Sequence, residues 1–378
     1  MVPRFAPGIL LEFVNRPLRV LLTGGNGQLG RDLRDVLAGG VPDGGVPSGG
    51  ARAPGILPPV EPGTFEVLAT DIDTLDVSDR TAVRAAADAF RPDLVLHGGA
   101  YTAVDACESD PDTAFAVNAM GTRHVAEATA EVGAHLVYVS TDYVFDGTLD
   151  RPYVEWDQPG PRSVYGRSKL GGELEVHAVA GPSATIVRTA WVSGAHGANM
   201  VKTVLRLARS TPDGTLRFVD DQRGCPTFTA DLARAVVRLG LDRRPGTFHV
   251  TNQGETSWFG FAQATLDAAG LDARRVEPIA TSDLAPPRPA PGQLEAGQRR
   301  PAPVRTAAAS VLDRCPRAPG RHLAARRPGL SVPFTPLPVR PESGPVAPAG
   351  RSERQTTSDR GRMSRQGVGR RGTRTVAR

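Results

Sequence analysis

The sequence predicts an α/β protein in which a doubly wound parallel sheet precedes a smaller C-terminal lobe. Short apolar segments alternate with amphipathic helical segments in the first half of the chain, as expected for parallel strands covered by helices on both faces. Beyond Ala190 the elements become shorter, which indicates a second lobe. The predicted strands are 18–22, 65–69, 94–97, 136–139, 185–188, 216–219 and 247–250, and the predicted helices are 27–37, 80–90, 114–132, 200–208, 229–239 and 259–269, with one more around Tyr165.

A glycine-rich turn directly follows the first predicted strand. Gly24, Gly27 and Gly30 form a G-x-x-G-x-x-G pattern at the start of a predicted helix. Glycines in this context permit a tight turn and let the backbone approach a pyrophosphate, while the helix N-terminus attracts the anion. The turn therefore predicts a Rossmann-type dinucleotide-binding domain over residues 17–189. A Gly/Pro-rich insertion at 39–63, which we expect to be a mobile loop, interrupts this domain.

Acidic residues follow the second predicted strand, where a sheet of this type contacts the adenosine ribose. Asp71 and Asp76 are placed to accept hydrogen bonds from ribose hydroxyls, whereas an arginine there would favour a 2′-phosphate. We therefore expect NADH or NADPH as cofactor, with NADH preferred. Asp73 is explained equally well as a solvated loop residue.

One of the two lysines in this arginine-rich chain has a position that suggests catalysis. Lys169 lies four residues after Tyr165, which puts both side chains on one face of a helix. An ammonium group there is predicted to lower the pKa of the phenol, so that the tyrosine works as an acid near neutral pH. Thr141 ends the fourth predicted strand and is placed to donate a hydrogen bond to a substrate carbonyl. The alternative to a catalytic role is that Thr141 only forms a turn and that Tyr165 and Lys169 are a chance pair on the surface.

Charge and cysteine content exclude several protein classes. From Arg288 onward there are nineteen arginines, thirteen prolines and five acidic residues. Phe334 is the only aromatic residue there, which favours a disordered tail at 292–378 over a nucleic-acid-binding arm. Three scattered cysteines are typical of the cytoplasm, and no apolar run approaches the ~20 residues of a membrane span. Residues 1–16 are predicted to be an N-terminal extension and not a signal peptide.

Several segments of the chain resemble a known family. They are Gly99–Asp105, Val139–Phe145, Val164–Lys169, Arg188–Trp191 and Asp221–Thr227. Through them the chain is similar to the extended short-chain dehydrogenase/reductase superfamily, and within it to the dTDP-4-dehydrorhamnose reductase family. The resemblance implies an NAD(P)H-dependent oxidoreductase that reduces the C4 ketone of dTDP-4-dehydro-6-deoxy-L-mannose to dTDP-L-rhamnose. It also implies a homodimer and Mg²⁺ at a dimer contact, although no metal ligand is assigned in this sequence.

The resemblance also assigns roles to individual residues. Thr141, Tyr165 and Lys169 match the family's catalytic set, and residues 190–291 match its substrate-binding lobe. The expected cofactor-binding residues are Gly24, Gly27, Gln28, Leu29, Gly30, Asp71, Asp76, Val77, Ala100, Tyr101, Thr102, Val139, Tyr165 and Lys169. The expected substrate-binding residues are Thr102, Thr141, Asp142, Tyr143, Trp191, Asn199 and Lys202.

Two other functions remain open from the sequence. One is a related enzyme, such as a 4-ketoreductase for another dTDP-deoxysugar of antibiotic or dihydrostreptose type. A dehydratase is disfavoured because Asp142 is followed by Tyr143 and not by a second acid. The other is a non-catalytic subunit that binds the cofactor and regulates a partner, which the intact catalytic set argues against.

The C-terminal segment departs from the family pattern, and the departure yields a prediction about the reading frame. After Arg288-Pro289 the family continues with an Arg-Pro-x-Asn-Ser-Arg-Leu segment. One set of codons for Gly292–Arg299, read one base later, encodes Ala-Asn-Ser-Arg-Leu-Asp-Ser. We hypothesise that residues from about Gly292 onward are translated out of frame. Sequencing the underlying DNA tests this: a one-base shift is expected to restore the family segment, and failure of every such shift would refute the hypothesis.

Overall fold

The computed structural model describes residues 16–39, 64–283 and 375–376. The predicted N-terminal extension, Gly/Pro-rich insertion and C-terminal tail therefore lie almost entirely outside the described residues. In the described ranges, strands and helices alternate nearly as predicted. No helix in these ranges is long and apolar enough to cross a membrane.

The strands fall into one large sheet and several small ones. They are β1 (Leu18–Thr23), β2 (Phe65–Thr70), β3 (Leu94–His97), β4 (His135–Thr141), β5 (Thr185–Thr189), β6 (Val192–Ser193), β7 (Leu216–Val219), β8 (Arg223–Gly224), β9 (Thr227–Phe228), β10 (Gly246–His249), β11 (Thr256–Ser257), β12 (Val276–Ile279) and β13 (Thr375–Val376).

The central sheet confirms the predicted fold class. Its six strands are all parallel, in the order β10-β5-β4-β3-β1-β2. The chain adds β2 on one side of β1 and then crosses to add β3 on the other, so the strand order reverses at β1 and β3. In sheets of this type, ligands bind at the carboxyl ends of the strands beside such a reversal. Two small two-stranded sheets, β6–β9 and β8–β11, and one three-stranded sheet, β12–β7–β13, lie outside the central sheet.

Helices connect the strands. They are α1 (Gln28–Leu37), α2 (Arg80–Phe90), α3 (Val104–Ser109), α4 (Pro111–Phe115), α5 (Thr122–Val132), α6 (Val164–Ala180), α7 (Met200–Ser210), α8 (Thr229–Leu241) and α9 (Trp258–Ala268), with short 3₁₀ turns at Asp142–Val144, Gly181–Ser183, Ala273–Arg275 and Thr281–Asp283.

The predicted long helix 114–132 is present, but it is not α-helical throughout, because a π-helical segment at Ala116–Gly121 joins α4 to α5. Gly121 packs so closely on Val77 that a Cβ would lie 2.9 Å from the valine Cγ2. The segment carries Asn118, whose side chain is fully buried. A single π turn is rare and short, so the periodicity of the whole helix did not reveal it.

Helices cover both faces of the central sheet. Leu22 of β1 belongs to an apolar cluster shared with α1 and α8, whereas its neighbour Leu21 belongs to a cluster shared with α2, α5 and α6. This alternation is the period-two pattern of a strand buried on both sides. A third cluster, around Val204, Phe218 and Leu266, joins α7, β7 and α9 in the C-terminal part of the described chain.

Candidate active site

Two positions in the glycine-rich turn between β1 and α1 require glycine. Gly24 has a φ of +72°, and a Cβ there would lie 2.8 Å from the amide nitrogen of Gly99. A Cβ on Gly30 would overlap the carbonyl oxygen of Gly24. The first turn of α1 therefore lies directly against the turn and leaves its amide groups at the carboxyl edge of the sheet. This backbone cradle fits the pyrophosphate of a dinucleotide.

The acidic residues after β2 occupy two different environments. Asp71 accepts hydrogen bonds from the backbone amides of Asn26 and Ile72, both at 2.8 Å, so its carboxylate lies beside the glycine-rich turn. Asp76 accepts from the amide and hydroxyl of Ser78 at 2.8 and 2.7 Å and holds the turn before α2. The geometry thus places Asp71 closer to the cradle than the sequence alone indicated.

The segment after β3 is held by a residue that the sequence did not single out. The Asn118 side chain accepts from the Tyr101 amide at 2.8 Å and donates to the Tyr101 carbonyl at 3.0 Å. It also donates to the Ser168 hydroxyl on α6 at 3.0 Å. Asn118 therefore ties the predicted cofactor segment at Ala100–Thr102 to the helix that carries the predicted catalytic pair.

The predicted catalytic residues converge at the carboxyl end of β4. Tyr165 and Lys169, on the first turns of α6, are 9% and 2% exposed. The Lys169 ammonium donates to the carbonyl oxygen of Val139 at 2.8 Å and lies 4.2 Å from the centre of the Tyr138 ring. Thr141 ends β4, with its hydroxyl donating to a carboxylate oxygen of Asp142 at 3.0 Å.

Burial sets the proton affinities of these groups. The pKa of Lys169 falls to about 7 because the ammonium is buried, although the Glu173 carboxylate opposes the fall. The predicted lowering of the Tyr165 pKa is wrong in this structure. Burial and the Asp142 carboxylate raise the pKa of Tyr165 well above its usual value. Tyr165 is therefore a neutral phenol across the physiological pH range, and without cofactor it holds its proton more tightly than a free tyrosine.

A buried ion pair supports the helix behind the catalytic pair. Glu173 lies one turn after Lys169, and its carboxylate accepts from Nε and Nη2 of the Arg188 guanidinium at 2.9 and 2.6 Å. The Ser140 hydroxyl donates to the same carboxylate at 2.5 Å. The three residues link α6 to the carboxyl ends of β4 and β5, next to Tyr165 and Lys169.

Trp191 takes a backbone conformation that is rare for a bulky residue. Its φ is +48°, and its indole stacks on that of Trp258 with centroids 3.4 Å apart and rings 5° from parallel. Gly224 packs so closely on this indole that a Cβ there would collide with it. Such strain persists where the surroundings fix it, often in binding sites. Trp258 was not predicted, since only the folded chain brings it to Trp191.

The remaining predicted substrate residues hold a loop next to the glycine-rich turn. Asn199 caps α7 by accepting from the Lys202 amide at 3.1 Å, and its side chain donates to the Gln28 side chain at 3.0 Å. The Lys202 ammonium donates to the carbonyls of Ala195 and Gly197 at 2.8 and 2.7 Å. Lys202 thus holds the loop 194–199 through two hydrogen bonds, a role that its sequence position did not indicate.

The chain is similar to several known proteins over most of its length. The family model described as the RmlD substrate binding domain matches residues 54–302. A dTDP-4-dehydrorhamnose reductase of Streptomyces griseus is 41% identical over 72% of this chain and 82% of its own. The crystal structure of a dTDP-4-dehydrorhamnose reductase from Bacillus anthracis in complex with NADP is 36% identical, with a TM-score of 0.62 over 71% of this chain and 85% of its own.

The chain belongs to the dTDP-4-dehydrorhamnose reductase family. Another relative with a comparable sequence identity is the dTDP-4-keto-6-deoxy-D-glucose reductase of Streptomyces niveus. It is 38% identical over 71% of this chain and 84% of its own. The dTDP-4-dehydrorhamnose reductase family therefore lies close to reductases that are named for a different keto sugar.

The buried ion pair gives a stability prediction with a matched control on the same helix. Glu173→Gln leaves the Arg188 charge buried without its counter-ion and is expected to lower the free energy of unfolding by about 3–5 kcal/mol. Glu175→Gln removes an exposed pair with Arg123, and we expect little change because water screens that pair. Urea unfolding followed by circular dichroism measures both. Equal, small losses would show that the buried pair does not stabilise the helix.

Proposed function

We propose that the chain reduces the C4 ketone of dTDP-4-dehydro-6-deoxy-L-mannose to give dTDP-L-rhamnose, with NADH or NADPH as reductant. The observation that carries the proposal is the burial of Thr141, Tyr165 and Lys169 together at the carboxyl end of β4, beside the glycine-rich cradle. Relatives named for this reaction at 36% to 46% identity support it.

Each side chain of the set has a distinct task in this reaction. Bound reduced nicotinamide supplies the hydride for C4. Tyr165, kept neutral by burial, donates its proton to the oxygen that becomes the C4 hydroxyl. Thr141 donates a hydrogen bond to the same oxygen as negative charge develops. Lys169, anchored on the Val139 carbonyl, would hold the ribose of a bound nicotinamide through its other ammonium protons.

The substrate and cofactor contacts extend this proposal beyond the catalytic set. We assign Thr102, Asp142, Tyr143 and Trp191 to the sugar pocket and the loop held by Lys202 to the nucleotide end. Asp71 favours NADH, because its carboxylate beside the cradle would repel a 2′-phosphate. A homodimer, Mg²⁺ at its contact and a place in the cytoplasm follow from the family resemblance and the cysteine content.

A second candidate is reduction of the C4 ketone of another dTDP-6-deoxy sugar. The Streptomyces niveus relative, named for dTDP-4-keto-6-deoxy-D-glucose, specifically favours it. The two candidates share Thr141, Tyr165 and Lys169, since the same proton and hydride transfers apply to both ketones. They differ only in the configuration of the sugar that the pocket accepts.

Turnover of these two keto sugars, with NADH and NADPH in parallel, tests the proposal. We expect the L-mannose derivative to be reduced with the higher kcat/KM and NADH to be the better reductant. A higher kcat/KM for the D-glucose derivative would select the second candidate, and no turnover of either would refute both.

Removal of the proton donor tests the assignment of Tyr165. We expect Tyr165→Phe to lower kcat/KM by roughly 10²–10⁴-fold, the usual contribution of a positioned general acid. Tyr153→Phe is the matched control, because its hydroxyl bonds to Asp146 outside the catalytic set. Undiminished turnover of Tyr165→Phe would show that another group supplies the proton.

A further inference from the structure

The Thr141 hydroxyl has a single proton, and in this structure its hydrogen-bond acceptor is the neighbouring Asp142 carboxylate. The hydroxyl donates to Asp142 Oδ1 at 3.0 Å, while its oxygen accepts from the Tyr143 amide at 3.3 Å. A hydroxyl offers one donor and two acceptor positions. As long as Asp142 is a carboxylate, Thr141 is therefore an acceptor toward the site, which is the wrong polarity for a developing alkoxide.

We propose that Asp142 is a positioning residue that must carry a proton for Thr141 to act in the reaction, an inference that rests on the proposed function. A protonated Asp142 donates its O–H to Thr141 Oγ1 and turns the threonine proton toward the substrate carbonyl. The proton of Asp142 stays on its carboxyl throughout, and the proton that reaches the product oxygen comes from Tyr165. Asp142 thus acts through Thr141 and is not itself the acid.

The surroundings of Asp142 favour its protonated form. The side chain is 3% exposed. The groups that face it are Tyr165 from α6, Tyr143 from its own segment, Arg188 from β5 and His249 from the end of β10. The Arg188 charge is already paired with Glu173, so little positive charge is left to stabilise an Asp142 anion.

The other neighbours do not stabilise the anion either. Burial lowers the pKa of His249, which keeps the imidazole neutral near pH 7, and both tyrosines are neutral. Burial raises the pKa of Asp142 to about 7, and hydrogen bonds from Thr141 and the backbone offset only part of that rise. The carboxyl therefore gains its proton as the pH falls through 7, and the competent orientation of Thr141 is lost as the pH rises.

The test compares the pH dependence of kcat/KM in the wild-type chain and in Asp142→Asn. Two groups with a pKa of about 7, Asp142 and Lys169, are expected to make the wild-type rate fall on the alkaline side. An asparagine amide donates to Thr141 at every pH, so the variant loses one proton from that dependence. Above the midpoint, kcat/KM of the variant should therefore fall less steeply than that of the wild type, by a factor of about ten for each pH unit.

Two controls separate this positioning role from a structural one. Asp146→Asn changes an acid in the same segment that bonds to Tyr153 and Thr148, and we expect the wild-type pH profile. In a Thr141→Val background, Asp142→Asn should leave the shape of the profile unchanged, because the hydroxyl that Asp142 orients is gone. A wild-type alkaline slope in Asp142→Asn, with the rate lowered equally at every pH, would overturn the proposal.

A second measurement on the wild-type chain keeps the proposal testable if Asp142→Asn does not fold. The infrared difference spectrum between pH 6 and pH 9 should show one buried carboxylic acid C=O band that disappears with the midpoint of the alkaline limb. Absence of the band would overturn the proposal. Failure of the wild-type chain to reduce any keto sugar would instead refute the proposed function and would be seen before the variants are compared.

Discussion

The site depends on the packing of one helix against the carboxyl end of the sheet. Successive turns of α6 carry Tyr165, Lys169 and Glu173, and all three side chains are buried. Lys169 is fixed by a β4 carbonyl, and Glu173 is fixed by Arg188 of β5. Because both contacts are charged and buried, a small displacement of the helix would leave unpaired charge in the interior, which is costly. The ion pair therefore holds the catalytic tyrosine in place.

The same burial determines the acid–base chemistry. Removal from water raises the pKa of both Tyr165 and Asp142 and lowers that of Lys169, since each shift favours the uncharged form. The site thus contains a neutral phenol in Tyr165, the proposed proton donor, and a carboxyl in Asp142 that gains its proton near pH 7. In the proposed reaction, proton delivery and its pH dependence both follow from the burial of these groups.

Much of the fold and the convergence of Thr141, Tyr165 and Lys169 could be predicted from the sequence, because their signals are local. The glycine-rich turn, the apolar strands and the four-residue spacing of Tyr165 and Lys169 each lie within a few residues of chain. The π-helical segment that buries Asn118 and the stacking of Trp258 on Trp191 depend on contacts between distant segments. The predicted effect of Lys169 on the Tyr165 pKa was wrong for the same reason, as spacing reveals proximity but not the depth of burial.

The most direct test of the central claim is the fate of a labelled hydride. The chain is supplied with dTDP-4-dehydro-6-deoxy-L-mannose and with NADH in which both hydrogens at C4 of the nicotinamide are deuterium, and the product is examined by NMR. If Thr141, Tyr165 and Lys169 assemble a ketoreductase site, the product is dTDP-L-rhamnose with deuterium bound to C4 of the sugar. A product without deuterium at that carbon, or unchanged ketone, would contradict the account.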